Sequence, residues 1–237
     1  MKAANIPWMF ALLSAGMLVA AGYGAQYGMW DYRFGFQLLR WSESAGLATA
    51  ALALIGLLIP RFRAGRVPAL AAVLVIGLGI AYFPWQWIQA ARSVPAINDI
   101  TTDTDNPPAF VALIAARAGA AVPSAYPGGE TAAKQRQGYP DLRPLELPVP
   151  PAIAFARALD AARSMGWHVE AADAATGRIE ATATTPWFGF RDDVVVRVAP
   201  APMGTRIDVR SASRVGKSDL GTNAKRIRAY LAKLAHA

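Results

Sequence analysis

The sequence predicts a membrane protein in which three transmembrane helices precede an exported α+β domain. Three observations carry this prediction. The first 90 residues hold three apolar segments, the loop between the second and third is charged by arginines alone, and residues 152–237 alternate helical and strand-like patterns. With 54% hydrophobic residues, the 237-residue chain is too apolar for one ordinary soluble domain, yet its C-terminal part is too charged to be membrane.

The apolar segments cover residues 8–27, 45–59 and 67–88. About 20 residues are needed to cross ~30 Å of hydrocarbon, and the first and third segments meet that length. The first segment is also compatible with a cleavable signal peptide, because Ala20 and Gly22 resemble a cleavage site. It is longer than a usual signal-peptide core, so we expect a retained helix.

The charged loops predict the orientation of these helices. Lys2 and the loop arginines Arg61, Arg63 and Arg66 fall on one side of the membrane, with no acidic residue among them. The positive-inside rule assigns that side to the cytoplasm, so that three crossings export everything that follows. We expect a bacterial inner membrane with a periplasmic domain, or alternatively a plastid thylakoid membrane with a lumenal domain. Residues 31–41 are expected to lie flat at the outer membrane surface.

Residues 93–151 read as a proline-rich connector, since they contain ten of the 17 prolines. A short helix is expected around residues 110–118, and turns are expected at 126–129 and 139–140. Part of this connector is expected to cover the domain behind it, because its larger apolar side chains would gain by burial. These side chains are Phe110, Tyr126 and Leu142.

Residues 152–237 are predicted to form the exported domain. An amphipathic helix is followed by four strand-like runs with period-two alternation and then by a basic amphipathic helix. Alternation with one polar face predicts a four-stranded antiparallel meander with both helices on the other face. The predicted elements are the helix 152–165, the strands 167–172, 178–185, 190–199 and 205–213, and the helix 219–235.

Four segments of this part carry a family resemblance. Residues 208–228, together with 98–103, 107–110 and 187–193, resemble the domain of unknown function 1499 (DUF1499) family of bacteria and plastids. The resemblance covers about residues 96–235 and leaves the membrane segments outside. It implies a domain boundary, and it brings no established activity, cofactor or catalytic residue.

The start of the last helix is a candidate anion site. Gly216-Lys217-Ser218 resembles the end of a nucleotide-binding P-loop, but Ser211 stands where that motif requires glycine, which argues against an NTPase. Helix N-termini attract anions such as phosphate, carboxylate or lipid headgroups. In the alternative, Ser218 or Asp219 caps the helix and the arginines pair with nearby acids. The candidate residues are Arg210, Arg214, Lys217 and Ser218.

An aromatic hairpin tip is the second candidate, formed by Trp187, Phe188 and Phe190. Such a tip dips into a membrane surface, grips a partner, or folds onto the sheet. Gly24 and Gly28 add a GxxxG pattern, which serves either packing within the chain or homo-oligomerisation.

The chain offers little for catalysis or metal binding. It contains no cysteine and only two histidines, which lie far apart. Asp192 and Asp193 would face opposite sides of a strand and are expected to pair with Arg191 or Arg197. We predict no catalytic residue, metal or cofactor, although a hydrolase using His168 or aspartates such as Asp103, Asp105 and Asp192 stays open. The leading hypothesis for the function is therefore a non-enzymatic interaction or accessory module. Its expected partners are the lipid bilayer, a membrane protein or an anionic lipid, and not nucleic acid. The alternative function is a domain that binds an anionic ligand.

Overall fold

A computed structural model describes residues 6–236 of the chain and divides it into two compact units. We call them the helical unit, which runs to Ala90 and also includes Pro186–Gly189, and the sheet unit, which comprises Ala91–Thr185 and the chain from Phe190 onward. Lys2, used above for the orientation, lies outside the described residues.

The first unit is built from helices. Three of them are long and apolar enough to cross a membrane, as the sequence predicts. A single turn connects the second of these to the third. The helices are α1 Ile6–Gln26, α2 Tyr32–Leu58, the single turn α3 Pro60–Arg63, and α4 Val67–Ser93.

The second helix begins earlier than predicted. The Asp31 carboxylate accepts a hydrogen bond from the Arg33 backbone amide at 2.8 Å and caps α2 at Tyr32. The prediction that residues 31–41 form a separate element lying flat is therefore wrong. A capped amphipathic turn and the first turn of a longer helix share one sequence pattern, and only the uninterrupted backbone hydrogen bonding distinguishes them.

Small residues bring the helices of this unit together. A Cβ atom on Gly46 of α2 would lie only 2.8 Å from the Gly77 carbonyl oxygen of α4, so these two helices approach backbone to backbone. Of the predicted GxxxG pair, Gly24 packs against the Trp30 ring of its own chain. Gly28 adopts a φ of +70° just beyond the end of α1, a conformation that favours glycine.

A single antiparallel sheet of six strands forms the second unit, in the order β1-β6-β5-β4-β3, and β2 also pairs with β6. The last four strands are the predicted meander. The first two are three residues long each, so the predicted count of four strands is too low. The strands are β1 Asp99–Thr101, β2 Leu145–Leu147, β3 His168–Asp173, β4 Arg178–Thr184, β5 Arg191–Ala201 and β6 Gly204–Ser213.

Two helices, α6 Pro151–Ser164 and α7 Thr222–Ala235, pack on one face of this sheet, which we call the helix face. Its core is apolar and fully buried, with Ile227 and Tyr230 of α7 against the sheet. The Tyr230 hydroxyl donates to the Ala158 carbonyl oxygen of α6 at 2.7 Å, which satisfies its only polar group. The sheet side chains in this core include Ile179, Val194, Val196, Ile207 and Val209.

The opposite face, which we call the segment face, is also covered. Residues 102–128 lie on it and include a 3-10 helix, Ala112–Arg117, close to the helix expected around 110–118. Phe110 and Leu113 are buried there with Val195 of β5. Residues 93–151, predicted as a loop-rich connector, thus supply β1, β2, the 3-10 helix and α5 Gly129–Gly138 to the sheet unit.

Candidate functional site

The segment face holds a layer of buried charged side chains, and its centre is Asp193 on β5. Arg117, from the 3-10 helix, donates to the Asp193 carboxylate at 2.8 Å, and both side chains are fully buried. Arg214, just beyond β6, donates to the same carboxylate through Nε at 2.9 Å and Nη2 at 2.8 Å. The Thr182 hydroxyl donates to it as well, at 3.0 Å. One carboxylate is thus shared by two guanidinium groups.

The same Arg117 fastens the covering segment. Its guanidinium also donates to backbone carbonyl oxygens of Val122 at 3.1 Å and Pro123 at 3.3 Å, and to those of Ala212 and Ser213 on β6. These carbonyls lie in irregular backbone or at a strand end, where regular secondary structure leaves acceptors unpaired. Arg117 therefore supplies hydrogen-bond donors to the carbonyl oxygens of residues 122 and 123.

A second buried pair joins β1 to β6. Arg210 forms a bidentate pair with Asp99, at 2.9 Å from Nε and 2.7 Å from Nη2, and both side chains are essentially inaccessible. Arg210 also donates to the carbonyl oxygens of Pro108 and Ser124. Burial raises the pKa of Asp99 above its ordinary value and outweighs the opposing effect of the Arg210 hydrogen bonds.

A carboxylate holds the start of the 3-10 helix. Glu180 of β4 is fully buried, and it accepts hydrogen bonds from three consecutive backbone amides, those of Val111, Ala112 and Leu113, at 2.9 to 3.0 Å. Arg178 approaches the same carboxylate at 3.3 Å. A negative charge at a helix N-terminus meets unpaired amides and the positive end of the helix dipole, so that Glu180 caps this helix from the neighbouring sheet.

The outer edge of the charged layer is more exposed. Asp208 of β6 accepts from Arg197 and Arg206, and these two arginines also contact Asp103 at 3.4 and 2.7 Å. Nearby, burial raises the pKa of the Tyr126 phenol to about 12, so this hydroxyl stays neutral at physiological pH. The layer thus joins sheet and covering segment through contacts within the chain.

The predicted anion residues are not gathered on one surface. Arg210 is buried against Asp99, and Arg214 is mostly buried against Asp193, while Lys217 is exposed. The Ser218 hydroxyl accepts from the Leu220 amide at 3.3 Å. For Arg210 and Arg214, these contacts correspond to the alternative considered above, in which the arginines pair with nearby acids. Anion binding at this position stays a prediction.

The last helix begins at Thr222, three residues later than predicted, and Gly221 precedes it in the left-handed conformation. The Asp219 carboxylate accepts from the amides of Gly221 at 2.8 Å and Asn223 at 2.9 Å, and burial raises its pKa. Asp192 pairs with Arg226 of α7 at 2.6 Å. The expectation that Asp192 and Asp193 pair with Arg191 or Arg197 is therefore wrong, because helix and segment residues come closer to them than strand neighbours do.

The aromatic tip, Pro186–Gly189, belongs to the helical unit. The Trp187 indole nitrogen donates to the Val19 carbonyl oxygen of α1 at 3.3 Å, and its ring packs edge-on against Phe83 and Trp87 of α4. Phe188 is 4% exposed and lies 5.1 Å from the Phe36 ring centroid. The tip contacts the helices of its own chain, an arrangement that is not among those predicted from the sequence.

The third aromatic residue of that candidate, Phe190, falls in the sheet unit. Its amide donates to the Thr185 hydroxyl at 2.9 Å, and its carbonyl accepts from the Thr185 amide at 2.9 Å. These two bonds close the base of the loop where β4 ends and β5 begins. Phe190 therefore belongs to the sheet unit, whereas Trp187 and Phe188 belong to the helical unit.

The outer side of the 3-10 helix is apolar and exposed. Phe110 and Leu113 are buried against the sheet, whereas Val111, the residue that precedes the helix, and Ile114 in its first turn lie on the outer side. Val111 and Ile114 are each 51% exposed. We call this pair the apolar ridge. Glu180 holds the backbone beneath it, which gives the ridge a fixed support.

Other candidate groups stay apart. Within residues 6–236, no group of three or more His, Asp or Glu side chains lies close enough to hold a metal ion. The Asp103 carboxylate accepts from the backbone amides of Asp105 and Asn106, as expected for a turn. His168 is largely exposed on β3, near Glu170 at 3.9 Å.

Sequence reasoning missed Arg117, Glu180 and Asp99, although they organise the segment face. An isolated arginine in a proline-rich stretch and a glutamate in an alternating strand look like solvated residues. One signal was present, because Glu180 would lie on the same side of β4 as Thr182, facing the segment that was expected to cover the sheet.

Comparisons with known proteins agree with the resemblance seen in the sequence. A family model described as a protein of unknown function (DUF1499) matches residues 99–234. No curated protein and no solved structure gives a significant match to the chain.

Proposed function

Because the chain belongs to the DUF1499 family of proteins of unknown function, we propose its role from the geometry: a membrane-anchored envelope protein that acts as a non-enzymatic interaction module. Its sheet unit would face the periplasm from a bacterial inner membrane, or the lumen in a plastid. The apolar ridge is the observation that carries the interaction role, because it offers exposed apolar side chains on a fixed backbone.

The helices and the arginine loop support the orientation. Three helices are long and apolar enough to span a membrane, and Arg61, Arg63 and Arg66 between the second and third are exposed. Basic loops are retained on the cytoplasmic side, so that an odd number of crossings exports the C-terminal part.

The state of the buried charges supports a non-enzymatic role. A catalytic acid or base must reach a substrate, whereas Asp99, Asp193 and Glu180 are buried and already accept hydrogen bonds from arginines or backbone amides. Their contacts stabilise the covering segment, which leaves the exterior of the sheet unit as the surface for other molecules.

Reporter fusions test the orientation. A phosphatase that is active only after export, fused after Ala237, is expected to be active, and the same phosphatase inserted between Arg63 and Arg66 is expected to be inactive. A fluorescent protein that folds only in the cytoplasm serves as the matched control and should give the opposite result. Cytoplasmic fluorescence from the C-terminal fusion would reject the proposed location.

Affinity purification in mild detergent tests the interaction role. The full chain is expected to recover a stoichiometric partner, and Val111→Ser with Ile114→Ser is expected to lose it. Met203, which is 87% exposed at the β5–β6 turn, provides the control variant Met203→Ser, which should keep the partner. Repeated recovery of the chain alone, or retention of the partner by the ridge variant, would count against the proposal.

The alternative function is binding of an anionic ligand or lipid headgroup before α7. Exposed Lys217 supports it, together with the 16% exposed side chain of Arg214. Lys217→Ala is expected to weaken binding of inorganic phosphate or of phosphatidylglycerol vesicles, with Lys225→Ala on α7 as the matched control. Equal binding by both variants and the unaltered chain would reject this alternative.

A further inference from the structure

The helical unit contains a groove between α2 and α4 with a carboxylate in it. Its volume is about 590 Å³, within the range of small-molecule sites. The polar group in the wall is Glu43. The remaining lining is apolar or aromatic: Leu47 of α2, with Val75, Leu78, Gly79, Ala81, Tyr82 and Trp85 of α4.

Glu43 is unusual for its position. It lies inside α2, whereas the predicted second apolar segment begins only at residue 45. Among residues 6–236, no arginine, lysine or histidine side chain comes within ion-pair distance of it. Ionisable side chains within membrane helices are costly, and they commonly mark a binding site.

Two aromatic rings stand in the same wall. The ring centroids of Tyr82 and Trp85 are 5.5 Å apart, and the side chains are 58% and 47% exposed. Aromatic faces attract cations, and tryptophan does so most strongly. A carboxylate beside two open rings is thus complementary to an ammonium group.

The depth of the groove fits a lipid headgroup. Glu43 and Leu58 are separated by about 22 Å along α2, and Val67 and Trp85 by about 27 Å along α4, at 1.5 Å per residue. The carboxylate and the rings therefore lie near the end of a ~30 Å hydrocarbon layer, opposite the arginine loop. Leu47, Val75 and Leu78 continue the groove toward the middle of that layer, and each is at least half exposed.

We propose that this groove binds a membrane lipid with an ammonium headgroup. The amine pairs with the Glu43 carboxylate and lies against Tyr82 and Trp85, while an acyl chain follows Leu47, Val75 and Leu78. Close packing of Gly46 and Gly77 fixes the two helices beside the groove, so that the site is preformed.

Native mass spectrometry of the delipidated full chain tests this. The chain is titrated with equal amounts of phosphatidylethanolamine and phosphatidylglycerol carrying the same acyl chains. The ethanolamine lipid is expected to be bound roughly fivefold more, and Glu43→Gln is expected to remove that preference. Asp31→Asn, which removes an acid from the same helix while keeping its cap, should leave the preference unchanged.

A second variant keeps the test decisive. Trp85→Leu preserves the carboxylate and the apolar wall, and it is expected to weaken the preference for the ethanolamine lipid. This variant provides the test if circular dichroism shows that Glu43→Gln is not folded. Equal binding of both lipids by the unaltered chain, or an unchanged preference in these variants, would overturn the proposal. So would a dimer that dissociates in Glu43→Gln, because the groove would then hold a second copy.

Discussion

The two faces of the sheet are buried by different means. The helix face uses regular helices and apolar contacts, with Ile227 and Tyr230 at its centre. The segment face uses irregular backbone held by the ion pairs of Arg117 and Arg210, with a small apolar cluster around Phe110. Helices satisfy their own backbone groups, whereas an irregular cover needs side chains to do so. Charge therefore accumulates on the face whose cover lacks regular structure.

Replacing Arg117 should give the largest effect. Arg117→Ala leaves Asp193 with one cation fewer and removes the donors to several carbonyl oxygens, so we expect a loss of about 3–5 kcal/mol in the stability of the sheet. Hydrogen exchange of β5 amides in the detergent-solubilised full chain measures it. The control Arg136→Ala, whose partner Asp105 is exposed, should cost less than about 1 kcal/mol. If Arg117→Ala and Arg136→Ala lowered the stability of the sheet by the same small amount, the buried ion pairs would not hold the segment face as described.

Truncation on the helix face should come next. Ile227 is fully buried, and Ile227→Ala leaves a cavity between α7 and the sheet, at a cost of about 2–4 kcal/mol in the same measurement. Leu231, which is only partly buried on the same helix, provides the control, and Leu231→Ala should cost less. A larger loss from Leu231→Ala would contradict the described core.

Glu180→Gln should have a smaller effect. The amide keeps the shape of the carboxylate but turns an NH₂ group toward a backbone amide, so we expect a loss of about 1–3 kcal/mol. It should appear mainly as faster exchange of the amides of Val111, Ala112 and Leu113. Glu170→Gln on the exposed edge strand is the matched control. Unchanged protection of those three amides would show that Glu180 does not hold the ridge.

The smallest effect concerns pH. Hydrogen bonds from Arg228 lower the pKa of Asp141 below its ordinary value, and the pair is largely exposed. A lowered carboxyl pKa stabilises the fold above the unfolded pKa, and this contribution disappears as the pH falls through the folded pKa. The stability difference between the chain and Asp141→Asn should therefore shrink from about pH 6 to about pH 3. A difference that grows toward low pH would contradict it.

The helix face was predictable from the sequence, and so were the short helix near residues 110–118 and the burial of Phe110 on the segment face, whereas the ion pairs that hold this face were not. The helix Pro151–Ser164 and the four meander strands follow from periodicity, within one or two residues of the predicted bounds. Strands β1 and β2 are too short to show a period and are defined by pairing with distant β6. Likewise, the pairing of Arg117 with Asp193 joins residues far apart in sequence, which local pattern does not reveal.

For the candidate sites, too, local sequence pattern identified the residues but not their distant partners. Sequence reasoning found Trp187 and Phe188, because a cluster of aromatic residues between two strands is distinctive. It did not find the helices that these residues contact. It selected Arg210 and Arg214 from their position before a helix, whereas their partners lie elsewhere in the chain. The location of a charged residue is therefore less informative than the identity of the group that neutralises it.

Membership of Pro186–Gly189 in the helical unit bears on how the protein is produced for study. A water-soluble fragment starting after Ala90 would retain Trp187 and Phe188 and discard Val19, Phe36, Phe83 and Trp87, which surround them. Such a fragment would expose the apolar surface of this aromatic loop and would tend to self-associate, unless those two side chains were replaced by polar ones.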